Sequence, residues 1–209
     1  MSEVKTVSGR HRSETRRRLL VAAAGLFEDT GTIRQSVGDI CTRAGFTRGA
    51  FYSNFTSVDD LYLALHQEQA ASVWHRLWAA LDTQLADDTH EPTLEGAVGQ
   101  LLAALPESRE WFSLRSVLLA RAAADPVFAE GMLMDDTHAV GELGDRFVAL
   151  AAVHGRVPVV DATQLAKSVV AAHIGALSQS AVDSDAGRTQ RVTVAAVLRG
   201  LTVEGAAGR

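Results

Sequence analysis

Ser36–Phe55 reads "SVGDICTRAGFTRGAFYSNF", and the fold turns on how these twenty residues are divided. Ser36 can cap a helix with its hydroxyl, and Asp39 stands at the return position of a capping box. Val37, Ile40, Cys41 and Ala44 repeat at helical spacing and form one buried face. Gly45 ends this helix, as glycine does just past a helix C-terminus. Thr47 then caps a second helix predicted to reach about Phe55. A helix of some nine residues is not stable alone in water, because nucleation is costly. It must be held from behind, and Ala50, Phe51 and Phe55 are the residues to do so, with Phe46 in the turn. Thr47, Arg48 and Tyr52 fall on the opposite side, Arg48 and Tyr52 being i,i+4 neighbours. Gly49 is a poor helix former, and its missing side chain lets another surface approach the backbone. Two helices joined by a glycine turn, the second with an outward polar face, make a helix-turn-helix. Such a second helix enters the DNA major groove.

Working outward, a first helix is expected from Ser13 or Thr15 to Thr30, with Leu19, Leu20, Ala23, Leu26 and Phe27 on its buried face and Gly31 as its stop. Arg16, Arg17 and Arg18 crowd its start, the wrong end for positive charge beside a helix dipole, so an anion outside the protein is expected to offset them. Ser57 and Asp60 open a long fourth helix to about Leu85. The polar stretch 86–93 reads as a loop. Further helices are expected over 93–105, 108–124, 126–154, 161–182 and 188–202, with Asp125-Pro126 and Asp161/Gln164 as starts. Residues 155–160 read as a connection and the C-terminal "EGAAGR" as frayed. The expectation is an all-α protein of about nine helices. A helix-turn-helix domain would occupy residues 1–56 and a helical regulatory and dimerisation domain residues 57–209.

Composition supports this reading. The 209 residues are 47% apolar with only four prolines, enough for a sizeable core and favourable to helix. The single cysteine, Cys41, allows no internal disulfide and suits a reducing compartment. The N-terminus lacks the apolar core of a secretory signal, and the longest apolar run, "LLVAAAGLF", is about half of what a membrane span needs. A cytoplasmic location without membrane insertion is expected. Net charge is −5 but uneven: residues 1–57 hold nine Lys/Arg against five Asp/Glu, and the remainder 11 against 20. That asymmetry suits a small basic unit facing nucleic acid on a larger acidic body.

Two rival classes are weighed against this reading. For an enzyme, no GxSxG, HExxH, CxxC, Walker A or GxGxxG pattern is present, and the seven histidines form no metal-ligand spacing with cysteine. No catalytic residue, metal or cofactor is expected. The other rival, a helical interaction module that does not bind DNA, fits the basic N-terminus poorly.

The segments "RRRLLVAAAGLFEDTG" (16–31) and "SVGDICTRAGFTRGAFYSNFTSVDDL" (36–61) resemble the N-terminal domain of the TetR family of transcriptional regulators. The resemblance covers about residues 13–65; beyond Leu65 it is one of architecture. It implies a homodimer of nine or ten helices per subunit, DNA binding by the third helix, and release from DNA by a small ligand, with repression as the default. Residue by residue, it implies phosphate contact at Ser36, base or backbone contact at Thr47, Arg48 and Gly49, and phosphate or thymine-methyl contact at Tyr52. The family often has His where Asn54 stands and Lys where Val58 stands. Asparagine can still hydrogen-bond phosphate; valine cannot. Arg10, Arg12 or Arg16 is expected to compensate from the N-terminal arm.

The helices predicted over 161–182 and 188–202 are apolar almost all round and are expected to form a four-helix homodimer interface. A two-fold dimer suits palindromic double-stranded DNA. For the small-molecule effector, Trp74, Trp78, Trp111, Arg115, Met134, His138 and His173 are the candidate contacts, on the view that such sites are apolar with a few polar groups. Each tryptophan also reads as ordinary core, and His173 as a hydrogen-bonded core histidine. Arg115 would favour an anionic or carbonyl-bearing effector.

Overall fold

The computed structural model describes residues 3–86, 93–105, 109–133, 136–179 and 185–205, with the backbone alone described for 3–11, 109–110, 133 and 136–138. The described elements, in chain order, are α1 (Glu3–Thr30), α2 (Val37–Ala44), α3 (Arg48–Tyr52), α4 (Val58–Ala86), α5 (Leu94–Ala104), α6 (Arg109–Ala124), α7 (Pro126–Leu133), α8 (Asp136–Val153), β1 (Arg156–Pro158), α9 (Ala162–Gln179), α10 (Ala186–Gly200) and β2 (Thr202–Glu204). The all-α expectation holds, with two differences: the single helix expected over 126–154 is two, α7 and α8, and a short β-ribbon is added. β1 and β2 pair antiparallel, Val157 opposite Val203, where the sequence reading has a connection and the junction between the end of a helix and the frayed C-terminal stretch.

Packing divides the chain into two compact units, Met1–Ala70 with Arg109–Met132, and Ala71–Ser108 with Leu133–Arg209. In the first, α1 contributes Leu19, Ala23 and Phe27 to the core, α2 contributes Ile40, Cys41 and Ala44, and α3 contributes Phe51. Leu61, Tyr62 and Leu65 of α4, Leu114 and Leu118 of α6, and Phe128 of α7 complete it. Asp125 caps α7 by accepting from the amides of Val127 and Phe128 at 3.1 and 3.3 Å. Its carboxylate also pairs with Arg121, which bridges to Asp59 on α4.

In the second unit, Leu77 and Leu81 of α4 pack with Val98 and Leu101 of α5, Leu143, Phe147 and Leu150 of α8, Leu165 and Val169 of α9, and Val194 and Leu198 of α10. A Cβ at Gly144 would run into the Ala162 backbone, so only glycine lets α8 approach the start of α9 this closely. Arg156 ties the β-ribbon to the end of α10 by donating to Thr202 Oγ1 at 2.7 Å and to the Thr202 carbonyl at 2.8 Å.

α1 starts about ten residues earlier than the apolar repeat suggests, because residues 3–12 are helical without an apolar face. Arg16–Arg18 therefore lie in mid-helix, and the expected clash with the dipole at a helix start does not arise. α3 ends at Tyr52 rather than Phe55, and α10 at Gly200 rather than Thr202.

Candidate nucleic-acid interface

The helix-turn-helix is fixed by local chemistry at each junction. Ser36 Oγ accepts from the Asp39 amide at 3.1 Å, and Asp39 Oδ2 accepts from the Ser36 amide at 3.1 Å and from its hydroxyl at 2.7 Å. These bonds to the Ser36 hydroxyl and amide hold the Asp39 carboxyl below its ordinary pKa. Gly45 sits at φ 72°, the left-handed conformation that favours glycine, and the chain then turns so that the Phe46 amide donates to the Cys41 carbonyl at 2.9 Å. Thr47 Oγ1 accepts from the Ala50 amide at 3.3 Å and starts α3. The Cys41 thiol meets the Thr47 carbonyl at 3.5 Å, and burial raises its pKa.

α3 is held from behind as anticipated: Phe51 and Phe55 are fully buried, their ring centroids 5.8 Å apart. Thr47, Arg48 and Gly49 are exposed, and Tyr52 is 60% exposed, its ring edge-on to Phe51. Ser36 is exposed as well. The Arg48 guanidinium rests over the first turn of α2, 3.3 Å from where a Cβ on Gly38 would lie. A Cβ on Gly49 would meet only Thr47 Oγ1, at 3.7 Å. The space over this glycine is open. The whole platform is tied to α4 by Tyr62. Its buried hydroxyl lies 2.8 Å from Gln35 Oε1 and 3.3 Å from the Ala23 carbonyl, and burial pushes its pKa up to about 12.

Asn54 does not join the outward set. It is half-buried, and its amide nitrogen donates to the Ala50 carbonyl at 2.8 Å and to Ser53 Oγ at 3.2 Å. Both side-chain hydrogens are thereby used inside the protein. Val58 is half-buried against the core. The α1 arginines carry contacts that the sequence reading did not foresee. Arg12 donates to the Ser53 carbonyl at 2.9 Å, and Arg16 to the Asn54 carbonyl at 3.4 Å while lying 4.4 Å over the Phe55 ring. Arg18 donates to the Ala44 carbonyl at 2.8 Å and lies 4.6 Å over Phe46. Arg17 pairs with Glu14 at 2.7 Å. The Arg10 side chain is outside the described residues.

The described effector candidates are divided between the two units. Trp111 and Arg115 lie in the first unit, beside buried His66. The His66 ring stacks on Trp111 at 6.2 Å, and its Nε2 is 3.3 Å from Arg115 Nη1. Trp111 Nε1 and Arg115 Nε are buried without a hydrogen-bond partner. Trp74, Trp78 and His173 lie in the second unit, the two tryptophans stacked at 6.4 Å. A cavity of ≈ 50 Å³ in that unit is lined by Leu77, Leu101, Phe147, Val169, His173 and Leu198, among others. His173 Nδ1 faces Gln190 Nε2 at 3.0 Å, and burial lowers its pKa to about 4. Met134 and the side chain of His138 are outside the described residues. Among the described residues, no group of three His, Cys, Asp or Glu could hold a metal ion, and no helix is long and apolar enough to cross a membrane.

A buried-backed short helix, presenting threonine, arginine and tyrosine from a glycine turn, defines a helix-turn-helix protein. Residues 19–65 match the family described as bacterial regulatory proteins, tetR family. Over 179 residues it is 30% identical to the A-factor receptor protein of Streptomyces griseus, an alignment covering 84% of this chain. The chain spans 57% of the length of that curated relative. Among solved structures, it is similar to a TetR-family transcriptional regulator of Mesorhizobium loti MAFF303099, with a TM-score of 0.69 at 19% identity, covering 91% of this chain and 98% of the other. It is also similar to a TetR transcription regulator of Haloarcula marismortui ATCC 43049, with a TM-score of 0.66 at 16% identity, covering 91% and 100%. At these identities the structures speak for the fold, which is the two-part helical one found here.

Proposed function

We propose that the chain is a cytoplasmic transcriptional regulator that binds a palindromic operator in double-stranded DNA as a homodimer, and that it is a repressor released by a small molecule. The observation that carries this reading is the division of α3. Phe51 is buried on one side, and Thr47, Arg48, Gly49 and Tyr52 stand exposed on the other. A five-residue helix that leaves arginine, glycine and tyrosine exposed beside an exposed threonine is suited to contact with a phosphate or a base edge.

A dimer through α9 and α10 supplies the two-fold symmetry a palindrome requires. Ala171 and Gly175 of α9 and Val192 and Ala196 of α10 are exposed small or apolar residues suited to close helix packing. Release by a ligand is supported by the unpartnered Trp111 and Arg115 nitrogens, which call for a hydrogen-bond acceptor such as a carbonyl or carboxylate oxygen. The relative named a receptor supports the same reading. Effector and operator are then linked thermodynamically: a ligand that prefers the form unable to bind DNA weakens DNA binding by the same factor by which DNA weakens ligand binding.

Selection of bound duplexes from a random pool with the purified protein tests this proposal. The expected product is an inverted repeat whose binding weakens steeply with salt, since each phosphate contact releases counterions. Recovery of no enriched sequence, with salt-insensitive binding, would refute it.

A further inference from the structure

The basic run of α1 reads in sequence as a phosphate-facing strip, but the structure gives three of its arginines an internal use. Each sits at the C-terminal end of one helix of the helix-turn-helix. Arg18 donates to the Ala44 carbonyl, the last residue of α2, and covers Phe46 immediately beyond the glycine turn. Arg12 and Arg16 donate to the carbonyls of Ser53 and Asn54, just past α3, and Arg16 covers Phe55. The last carbonyls of a helix have no intrahelical partner, and the C-terminal end of its dipole is negative. A guanidinium there meets both needs, and stacking on an aromatic face adds a cation–π contact. The arrangement is repeated: carbonyl at the helix end, aromatic just beyond it, arginine from α1 over both.

We propose that Arg18, with Arg16 as its counterpart on α3, is a positioning residue that fixes α2 and α3 to α1 and so sets the angle at which α3 is offered to DNA. This rests on the DNA-binding reading above, but assigns these arginines a role other than phosphate neutralisation. The two roles separate by charge and geometry. A phosphate contact needs a positive charge, which lysine supplies. The clamp needs a planar group that donates to a carbonyl while lying flat on a ring, which lysine does not supply.

The experiment compares the wild-type chain with Arg18→Lys, Arg18→Gln and Arg16→Gln. Each is titrated over a range of salt with a duplex selected by the wild type and with a random duplex. The expected result is a preference for the selected duplex lowered by about tenfold in both Arg18 variants, the size of one hydrogen bond to a charged group. The salt slope should stay unchanged, and hydrogen exchange at the Gly45 and Phe46 amides should rise. Should Arg18→Gln fail to fold, Arg18→Lys and Arg16→Gln carry the same comparison. The proposal is overturned if Arg18→Lys binds as the wild type does, or if Arg18→Gln loses affinity equally on both duplexes with the slope reduced by about one, the mark of a phosphate contact. A wild type that binds neither duplex would instead sink the DNA-binding reading itself.

Discussion

Arg48 and Gly49 make opposite demands on the same turn of α3, and substitution separates them. Arg48 is exposed, and its long side chain rests over the first turn of α2. Arginine reads guanine bidentately, at about 1–3 kcal/mol of discrimination. Arg48→Ala should therefore weaken binding to a selected duplex by about tenfold or more while changing binding to random DNA far less; equal losses in a competition titration would assign Arg48 to the backbone instead. Gly49 contributes through what it lacks. A Cβ there meets nothing closer than 3.7 Å inside the protein, and alanine is the better helix former by up to about 1 kcal/mol. Gly49→Ala should melt at the same temperature as the wild type or higher, yet bind DNA at least about tenfold more weakly. A variant that keeps full affinity would mean that no backbone approaches that surface.

At the scale of elements, what could be read from sequence was what neighbouring residues enforce on each other. Ser36, Asp39 and Gly45 are within ten positions, and their capping box and left-handed turn form as expected. Ser57 caps α4 by accepting from the Asp60 amide at 3.0 Å, although Asp60 returns to the Thr56 amide rather than to Ser57 itself. What could not be read depends on residues far apart. β1 and β2 are three-residue strands with no alternating pattern of their own, and they exist because Arg156–Pro158 meets Thr202–Glu204. The arginine contacts of α1 likewise join residues 26 to 41 positions apart. The surroundings of the effector candidates were out of reach for a related reason: a stripe on a helix signals burial but not the partner it is buried against. Hence Trp74 and Trp111, both aromatic and both in helices, fall in different units. Within α9, His173 has a consequence that can be measured. Burial lowers its pKa to about 4 from the ordinary 6.5, so the folded state holds it neutral where the unfolded chain binds a proton. The stability associated with the neutral ring is fully present above about pH 6.5 and is lost as pH falls toward about 4, by on the order of 3 kcal/mol in all. Thermal melts from pH 7 to 4.5 should show a steeper decline for the wild type than for His173→Gln. Parallel declines would remove His173 from the acid response.

For the whole molecule, the distribution of charge bears on assembly. On the proposed reading, a chain of net charge −5 would meet DNA through a local basic region, and a single short helix would offer too few contacts for a long operator. Two-fold pairing would answer this: the second half-site would bind at the effective concentration set by the first, and joint affinity would rise by orders of magnitude with no new kind of contact. Affinity for an inverted repeat should then depend on the interface as strongly as on α3. Gly175 gives a clean way to test it. It is exposed in mid-α9, and a Cβ built there meets nothing within 4 Å among the described residues beyond its own stretch of helix. Glutamate is also a better helix former than glycine, so Gly175→Glu should leave the isolated fold intact or slightly more stable. Two copies of α9 brought together about a two-fold axis would instead bury two like charges, which disfavours association by several kcal/mol. The variant is expected to sediment as a monomer with unchanged helical circular dichroism. It should bind a single half-site about as well as the wild type at equal subunit concentration, and the full inverted repeat at least about a hundredfold more weakly. A Gly175→Glu chain that still sediments as a dimer would move the interface off this face of α9, and a monomer that binds the full repeat undiminished would mean that operator recognition does not depend on pairing.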